Sequence, residues 1–272
     1  MSATVPSVRL HVEDSGGKGR PVILIHGWPL SAASWRHQIA PLRDAGYRVI
    51  AYDRRGFGRS EKPANGYDYD TLASDLAALL DERDVHDASL VGFSMGGGEV
   101  ARYLARYGNK RIHSVVFAAA VPPYLLKTAD NPEGPMSHEM IQQFKAGIEK
   151  DRNAFFANFA KGFYTAKGTV KVDEATLQET VAMAQPSCQQ AVLGCMQAFA
   201  ETDFRQDLNK VTVPTLVIHG DSDGTVPFEG SGKRTHQAIS KSQLVVLADA
   251  PHGCNVSHAN AFNSALCTFL AG

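Results

Sequence analysis

Short apolar runs alternate with longer amphipathic stretches along most of the chain. The apolar runs predict β-strands at residues 8–12, 22–26, 47–52, 90–93, 115–119, 216–219 and 244–247. Helices are predicted at residues 34–43 and 71–83, and in the second of these the leucines recur at helical spacing. Because strands and helices alternate in this way, we expect an α/β fold with a doubly wound, mostly parallel sheet and helices on both faces.

One long stretch interrupts this alternation. Between the prolines at 122–123 and 214, the pattern predicts no strand but four helices, at residues 137–150, 153–163, 173–184 and 187–202. We therefore expect a single domain over residues 1–272 with a helical cap inserted at about residues 123–210. A cap over the edge of a sheet encloses a pocket, and roughly half of the cap's aromatic side chains are expected to face it.

Composition argues against several classes of partner. Of the 272 residues, 44% are hydrophobic, and 27 basic side chains nearly balance 28 acidic ones. This balance gives no reason to expect nucleic acid or an anionic membrane. No apolar run approaches the roughly 20 residues of a membrane span, and residues 1–7 lack the blocks of a signal peptide. We expect a cytoplasmic protein, and a homo-oligomer is compatible with this composition.

The cysteines and histidines do not form a metal-binding pattern. The 4 cysteines show no C-x-x-C spacing, and the 10 histidines are scattered. We interpret the cysteines as small core residues without disulfides, and we expect no metal.

The most informative motif is Gly92-Phe93-Ser94-Met95-Gly96, which follows a strand-like run and precedes a helical one. It matches the G-x-S-x-G nucleophile elbow, in which a sharp strand-to-helix turn presents a serine hydroxyl. Glycine is needed two residues before and after the serine, because a Cβ there would collide with the neighbouring strand or helix. Ser94 is therefore the predicted nucleophile.

A serine nucleophile needs a base, and the base needs an orienting acid, in the chain order Ser, acid, His. The loop after the strand at 216–219 offers both Asp221 and Asp223 as the acid. We favour Asp223, because Asp221 is still leaving the strand and suits a carboxylate that stabilises the turn.

Several histidines compete for the role of base. His252 lies on a loop after the strand at 244–247 and between Pro and Gly, which favours it. His258 is the rival, at the expected start of the last helix. His26 and His219 each end a strand before glycine, and we interpret both as structural histidines satisfied by backbone hydrogen bonds.

The oxyanion hole requires two converging N–H donors. The first is expected from Met95, directly after the nucleophile, and the second from Trp28, in the loop after the strand that ends at His26. The predicted substrate pocket is a wider set of mainly apolar side chains, namely Pro29, Phe93, Val121, Phe144, Phe159, Phe163, Phe199 and Thr225.

With these residues assembled, the chain resembles the α/β-hydrolase fold family and, within it, the cofactor-free haloperoxidases, perhydrolases and aryl esterases. The matching segments run nearly end to end, at residues 26–30, 52–60, 92–99, 226–228, 231–233 and 251–253. The resemblance implies triad roles for Ser94, Asp223 and His252. It also implies that no cofactor is needed and that the N–H groups of Trp28 and Met95 form the oxyanion hole.

The resemblance also implies an activity. Members of this group hydrolyse small esters, sometimes lactones or lactams, and make peracids from carboxylic acids and hydrogen peroxide; the peracid then halogenates indirectly. The acid loop of the group usually reads Asp-Gln before an aliphatic residue, whereas here Asp223 is followed by Gly224 and Thr225, so one pocket wall is expected to be more polar. The cap, from about residue 130 to 205, matches weakly and implies no substrate.

The leading hypothesis is a serine hydrolase of small carboxylic esters, with side perhydrolase and haloperoxidase activity on hydrogen peroxide. The alternatives are a non-catalytic ligand-binding protein on a hydrolase scaffold, or a lactonase or amidase of the same fold. The intact Ser, Asp and His set argues against the binding protein. Dehalogenase and epoxide-hydrolase chemistry is disfavoured, because those relatives use an aspartate where this chain has Ser94.

Pro29 carries a further hypothesis. Proline has no N–H and a fixed φ, so it sets the direction of the neighbouring carbonyls. Perhydrolase-like relatives carry proline at the matching position, which implies that a carbonyl there accepts a hydrogen bond from incoming hydrogen peroxide. The alternative is that Pro29 only rigidifies the loop.

Overall fold

The computed structural model describes residues 7–272. The expectation that the chain begins without a signal peptide concerns mostly residues 1–6, and these lie outside the described residues. Within residues 7–272, no helix has both the length and the apolar character needed to span a bilayer. The cytoplasmic location and the oligomeric state stay predictions.

The described residues form one seven-stranded sheet of β1 (Val12–Asp14), β2 (Pro21–Ile25), β3 (Arg48–Tyr52), β4 (Ala88–Phe93), β5 (Ile112–Ala118), β8 (Thr215–Gly220) and β9 (Gln243–Leu247). The order of the strands across the sheet is β1-β3-β2-β4-β5-β8-β9. Strand β1 is antiparallel to β3, and every other neighbouring pair is parallel. The predicted fold class, a doubly wound and mostly parallel sheet, is confirmed.

The two faces of the sheet bury two separate hydrophobic clusters. Along β2, Ile23 and Ile25 belong to one cluster, whereas Val22 and Leu24 belong to the other. All four are fully buried, as expected for a parallel strand covered on both faces. Outside the segment of the predicted cap, the α-helices of the described residues are α1 (Arg36–Asp44), α2 (Tyr69–Glu82), α3 (Met95–Tyr107), α8 (Arg205–Leu208), α9 (Gly232–Ala238), α10 (Cys254–Ser257) and α11 (Ala259–Ala271).

The first predicted strand is wrong in position. It was expected at residues 8–12, but β1 begins only at Val12. The preceding residues form hydrogen bonds to the loop after β3 instead: the N–H of Arg9 donates to the Glu61 carboxylate, and the N–H of His11 donates to Ser60 Oγ. Because these two N–H groups already donate to the loop, they are not available for regular strand pairing with β3.

Four longer helices lie between β5 and β8 in the segment where the cap was predicted. They are α4 (His138–Lys150), α5 (Arg152–Phe163), α6 (Glu174–Ala184) and α7 (Gln189–Glu201), and we call them the cap helices. Three of them begin after a side chain that accepts a backbone N–H of the first turn, at Ser137, Asp151 and Asp173. The limits of a separate cap unit stay a prediction.

The expectation that this segment contains no strand is wrong. Strands β6 (Thr165–Ala166) and β7 (Thr169–Val170) form a two-residue hairpin between α5 and α6. Lys167 and Gly168 both have positive φ, at 47° and 77°, which is the backbone of a tight hairpin turn. In the sequence, the β-branched Thr and Val on either side of Lys-Gly are typical of such a hairpin. Each strand has only two residues, however, which is too short to appear as an apolar run.

Candidate active site

Ser94 lies at the turn between β4 and α3. Its φ of 55° and ψ of −119° are strained for a residue with a side chain. Two hydrogen bonds hold this conformation: the N–H of Ser94 donates to the Ala118 carbonyl at 2.9 Å, and its own carbonyl accepts the N–H of Gly97 at 3.0 Å. The sheet and the helix together therefore impose the turn on the serine.

The flanking glycines are required by close backbone approach. A Cβ on Gly92 would lie 2.5 Å from the Gly96 carbonyl oxygen, and a Cβ on Gly96 would lie 2.4 Å from that of Ile25. Both distances are shorter than atoms can approach, so any side chain there would displace α3 from β4 or from β2. This agrees with the collision predicted from the motif.

Ser94, His252 and Asp223 form one continuous chain of hydrogen bonds. Ser94 Oγ lies 2.9 Å from His252 Nε2, and His252 Nδ1 lies 2.7 Å from Asp223 Oδ2. Because a carboxylate can only accept, Nδ1 carries the proton and Nε2 is free to accept the serine proton. The three residues come from the loops after β4, β8 and β9, and none is more than 6% exposed.

The Asp223 carboxylate is held from every side. Its Oδ1 accepts the N–H groups of Thr225 at 2.9 Å and Val226 at 2.8 Å, while Oδ2 faces His252. Burial alone would raise the pKa of Asp223, but the rings of His252 and His219 outweigh it and hold that pKa well below its usual range. The carboxylate is therefore ionised and fixed in orientation.

Asp221, the other candidate acid, lies at the edge of the same loop. It is exposed, and its Oδ1 accepts the N–H of Asp249 at 2.8 Å and the hydroxyl of Ser222 at 2.7 Å. The hydrogen bond of His252 Nδ1 goes to Asp223 instead. This is the turn-stabilising geometry expected for it.

His219 is closer to the site than its sequence context predicted. It was expected to be satisfied by backbone bonds alone, and its Nε2 does donate to the Val226 carbonyl at 2.8 Å. The same nitrogen also lies 3.2 Å from Asp223 Oδ2. The expectation is therefore incomplete: His219 is a second imidazole on the Asp223 carboxylate. The spacing of four residues across a tight turn was the signal that could have revealed it.

The other two histidines lie away from this chain of bonds. His26 has hydrogen bonds to backbone at both ring nitrogens, with the Gly27 carbonyl at 2.8 Å and the Arg54 N–H at 2.9 Å, as expected. His258 lies where α10 ends and α11 begins, with Nδ1 2.9 Å from Ser257 Oγ.

The backbone N–H groups of Trp28 and Met95 donate to no acceptor within residues 7–272. Met95 is the first residue of α3, where amides have no partner inside the helix and the helix dipole is positive. Trp28 is fixed by its side chain, whose indole N–H donates to the Val192 carbonyl of α7 at 3.0 Å. Both N–H groups are thus available to a ligand beside Ser94.

A cavity of about 250 Å³ opens at Ser94 and His252. Its wall consists mainly of apolar side chains: Trp28, Val121, Leu125, Pro135, Met136, Met140, Phe144, Phe159, Phe199, Val226 and Pro227, with Gly162, Gly224 and Thr225. None of these lining residues is charged. The cavity therefore suits a small acyl group without a charge of its own.

Five of the eight predicted pocket residues line the cavity, namely Val121, Phe144, Phe159, Phe199 and Thr225.

Pro29, Phe93 and Phe163 are absent from the lining, so their assignment to the pocket wall needs correction. The rings of Phe93 and Phe163 pack instead on the His252 imidazole, with centroids 5.2 Å and 4.9 Å away. These two rings pack on His252, the candidate base, and so help to hold its imidazole in place.

Sequence reasoning missed several residues of the wall, among them Met136 and Met140. They lie around the start of α4, after a segment with no hydrophobic periodicity to assign it a face. No signal in the sequence alone pointed to them.

The chain is similar to known proteins over most of its length. A family model described as alpha/beta hydrolase fold matches residues 20–259. The chain is 42% identical to a non-heme chloroperoxidase of Kitasatospora aureofaciens, over 87% of this chain and 86% of that protein. It is 36% identical to a bifunctional esterase/perhydrolase of Acinetobacter calcoaceticus, over 98% of each. Among solved structures, a bromoperoxidase from Bacillus anthracis is 52% identical, with a TM-score of 0.95 and coverage of 97% of this chain and 96% of that one.

Proposed function

This chain belongs to the α/β hydrolase fold family, and from that membership we propose that it is a serine hydrolase of small carboxylic esters. It acts through an acyl-enzyme, which either water or hydrogen peroxide resolves. The observation that carries the proposal is the unbroken chain of hydrogen bonds from Asp223 through His252 to Ser94, at the floor of an uncharged cavity.

The first half of the reaction acylates Ser94. Ser94 Oγ attacks the ester carbonyl carbon while His252 Nε2 takes the hydroxyl proton. Asp223 holds the other ring nitrogen and stabilises the imidazolium that forms. The carbonyl oxygen becomes an oxyanion and accepts the free N–H groups of Trp28 and Met95, each worth roughly 3–4 kcal/mol of barrier. His252 then returns the proton to the leaving alcohol.

The second half releases the acyl group. Water attacks the acyl-enzyme with His252 as base and gives a carboxylic acid. Hydrogen peroxide attacks at the same carbon and gives a peracid, with Ser94 as the leaving group in both cases. No oxidation state changes in this step, because the O–O bond of the peroxide stays intact. The enzyme therefore needs no redox group of its own to make an oxidant.

Two relatives support the peroxide branch. One is a chloroperoxidase described as non-heme, and the other combines esterase with perhydrolase activity. A peracid that diffuses from the cavity is able to oxidise halide ions. One acyl-enzyme therefore accounts for both the chloroperoxidase and the esterase/perhydrolase activities that these relatives are named for.

The test is a screen of the purified protein with p-nitrophenyl esters of increasing acyl length, with and without hydrogen peroxide. We expect ester hydrolysis with short acyl groups and, from acetate plus peroxide, accumulation of peracetic acid. A protein that binds such esters without turning them over would instead be the ligand-binding alternative. Ester hydrolysis without any peracid formation would support the esterase part of the proposal and contradict its perhydrolase part.

A further inference from the structure

Two methionine side chains form part of the cavity wall. Met136 and Met140 line the same cavity as Ser94 and His252. Their backbone is fixed: the N–H of Met136 donates to the Leu125 carbonyl at 2.9 Å, and the N–H of Met140 is accepted by Ser137 Oγ at the start of α4. Both residues therefore border the cavity in which the proposed second half-reaction occurs.

The methionines of the described chain differ in how an oxidant reaches them. Met136 is 6% exposed and Met140 is 40% exposed. Since Met136 is otherwise enclosed by the core, an oxidant reaches it chiefly through the cavity. Met95 and Met196 are at most 1% exposed, whereas Met183 is partly exposed on α6 and does not line the cavity. Met183 therefore reports oxidant in bulk solvent, and Met136 reports oxidant in the cavity.

We propose that Met136 and Met140 are oxidation sites for the enzyme's own peracid, which converts their thioethers to sulfoxides before it leaves the cavity. This inference rests on the perhydrolase part of the proposed function. The sulfur attacks the outer peroxy oxygen, the O–O bond breaks, and an S–O bond forms. Sulfur is oxidised by two electrons, and the peracid is reduced to a carboxylate that takes the proton from the transferred oxygen and becomes the carboxylic acid.

The modification changes the cavity wall and leaves the triad intact. A sulfoxide is polar, so each oxidised methionine places a strong dipole in a wall that had been apolar. We expect the KM for apolar acyl groups to rise with the number of peroxide turnovers, while kcat falls much less. The enzyme therefore loses activity in proportion to the peracid it has made rather than to the time it spends in peroxide.

The first experiment compares peracid made inside the cavity with peracid added from outside. Wild type is incubated with acetate and hydrogen peroxide, and peracetic acid in the medium is quantified. Ser94→Ala receives the same total amount of peracetic acid, and a third sample of wild type receives peroxide alone. Peptide mass spectrometry then measures sulfoxide at Met136, Met140 and Met183.

We expect the ratio of Met136 sulfoxide to Met183 sulfoxide to be several-fold higher during turnover than with added peracid, and peroxide alone to modify Met136 least. Equal ratios in the first two samples would overturn the inference. If the wild type forms no peracid at all, the perhydrolase part of the proposed function fails, and this inference fails with it. Peracid formation without preference for Met136 overturns the inference alone.

The second experiment uses leucine, which keeps the size and apolar character of the side chain but cannot be oxidised. The double variant with Met136→Leu and Met140→Leu is compared with Met183→Leu as the matched control. Esterase activity is expressed relative to each protein's own starting value and plotted against peracid formed. We expect the double variant to lose activity several-fold more slowly than wild type, and the control to follow wild type. Identical curves for all three proteins would overturn the proposal.

Discussion

The two sides of the cavity are held together by different forces. On the side of the triad, the loops after β4, β8 and β9 are fixed by hydrogen bonds with defined donors and acceptors, as at Asp223, whose Oδ1 alone accepts two backbone N–H groups. On the side of the cap helices, the wall is held by ring contacts such as Phe159 against Trp28, with centroids 5.2 Å apart. Hydrogen bonds specify one geometry, whereas apolar contacts accept many shapes of similar volume. Reaction type and substrate choice are therefore separable in this molecule.

Trp28 belongs to both sides. Its backbone N–H is one of the two proposed oxyanion donors, while its ring makes edge contacts with four phenylalanines of the cap helices, Phe155, Phe156, Phe159 and Phe199. We therefore expect substitutions of these four rings to affect the proposed oxyanion hole as well, whereas Phe144 is not among them.

The strongest test of the triad side is removal of the nucleophile. Ser94→Ala is expected to lower kcat for every ester by about a millionfold, because the members of a triad act as a unit. Alanine fits the elbow, so the melting temperature should change little. Substrates of different acyl length should lose activity equally. Substantial residual turnover, measured with p-nitrophenyl acetate, would show that Ser94 is not the nucleophile.

The next largest effect is expected at the acid. Asp223→Asn should lower kcat by roughly ten-thousandfold, because an amide favours the wrong tautomer of His252. Asp221→Asn is the matched control, since its Oδ1 can still accept the Asp249 N–H, and it should keep nearly all activity. Steady-state kinetics of the two variants decide the matter: the reverse ranking would move the acid to Asp221.

These residues were predictable because their requirements are local and polar. The elbow is five consecutive residues, and Asp223 and His252 each follow a predicted strand in the required chain order. The cap wall was less predictable, since which face a side chain presents depends on how helices pack. Phe163 was expected in the wall but packs on His252, and Met136 was missed because its segment has no periodicity. Sequence patterns thus revealed the chemistry more fully than the shape of the cavity.

His219 should give an intermediate effect, because it supports the acid without contacting substrate. His219→Phe removes the donor that faces both Asp223 and the Val226 carbonyl, and it keeps a ring of similar shape. Loss of a buried hydrogen bond of roughly 1–3 kcal/mol predicts a decrease in kcat of about fivefold to 150-fold with KM unchanged. His258→Asn is the control and should match wild type. A change in KM without a change in kcat would mean that His219 only maintains the loop.

On the cap side, substitutions that leave the rings around Trp28 in place should change substrate choice instead of chemistry. Phe144→Ala removes apolar surface from the wall, and a loss of about 1.5 kcal/mol predicts an increase in KM of roughly tenfold for longer acyl groups. The kcat for acetate should stay nearly constant. Phe155→Ala, a neighbouring ring outside the lining that also packs on Trp28, measures how far loosening of the cap helices affects the proposed oxyanion hole. An equal effect on all acyl lengths would contradict the separation of the two sides.

The smallest predicted effect concerns Pro29, where the two sides meet. Pro29 lies inside a turn closed by the Leu30 N–H, which donates to the Gly27 carbonyl at 3.0 Å, so this turn fixes the peptide groups of Trp28. Pro29→Leu adds an N–H and frees φ, which we expect to redirect the Trp28 carbonyl that would accept the spare proton of hydrogen peroxide. Water gains less from that acceptor, so one lost hydrogen bond predicts that the ratio of perhydrolysis to ester hydrolysis falls by about fivefold. Both rates are measured for both proteins with the same acyl group. An unchanged ratio would leave Pro29 as a residue that only stiffens the loop.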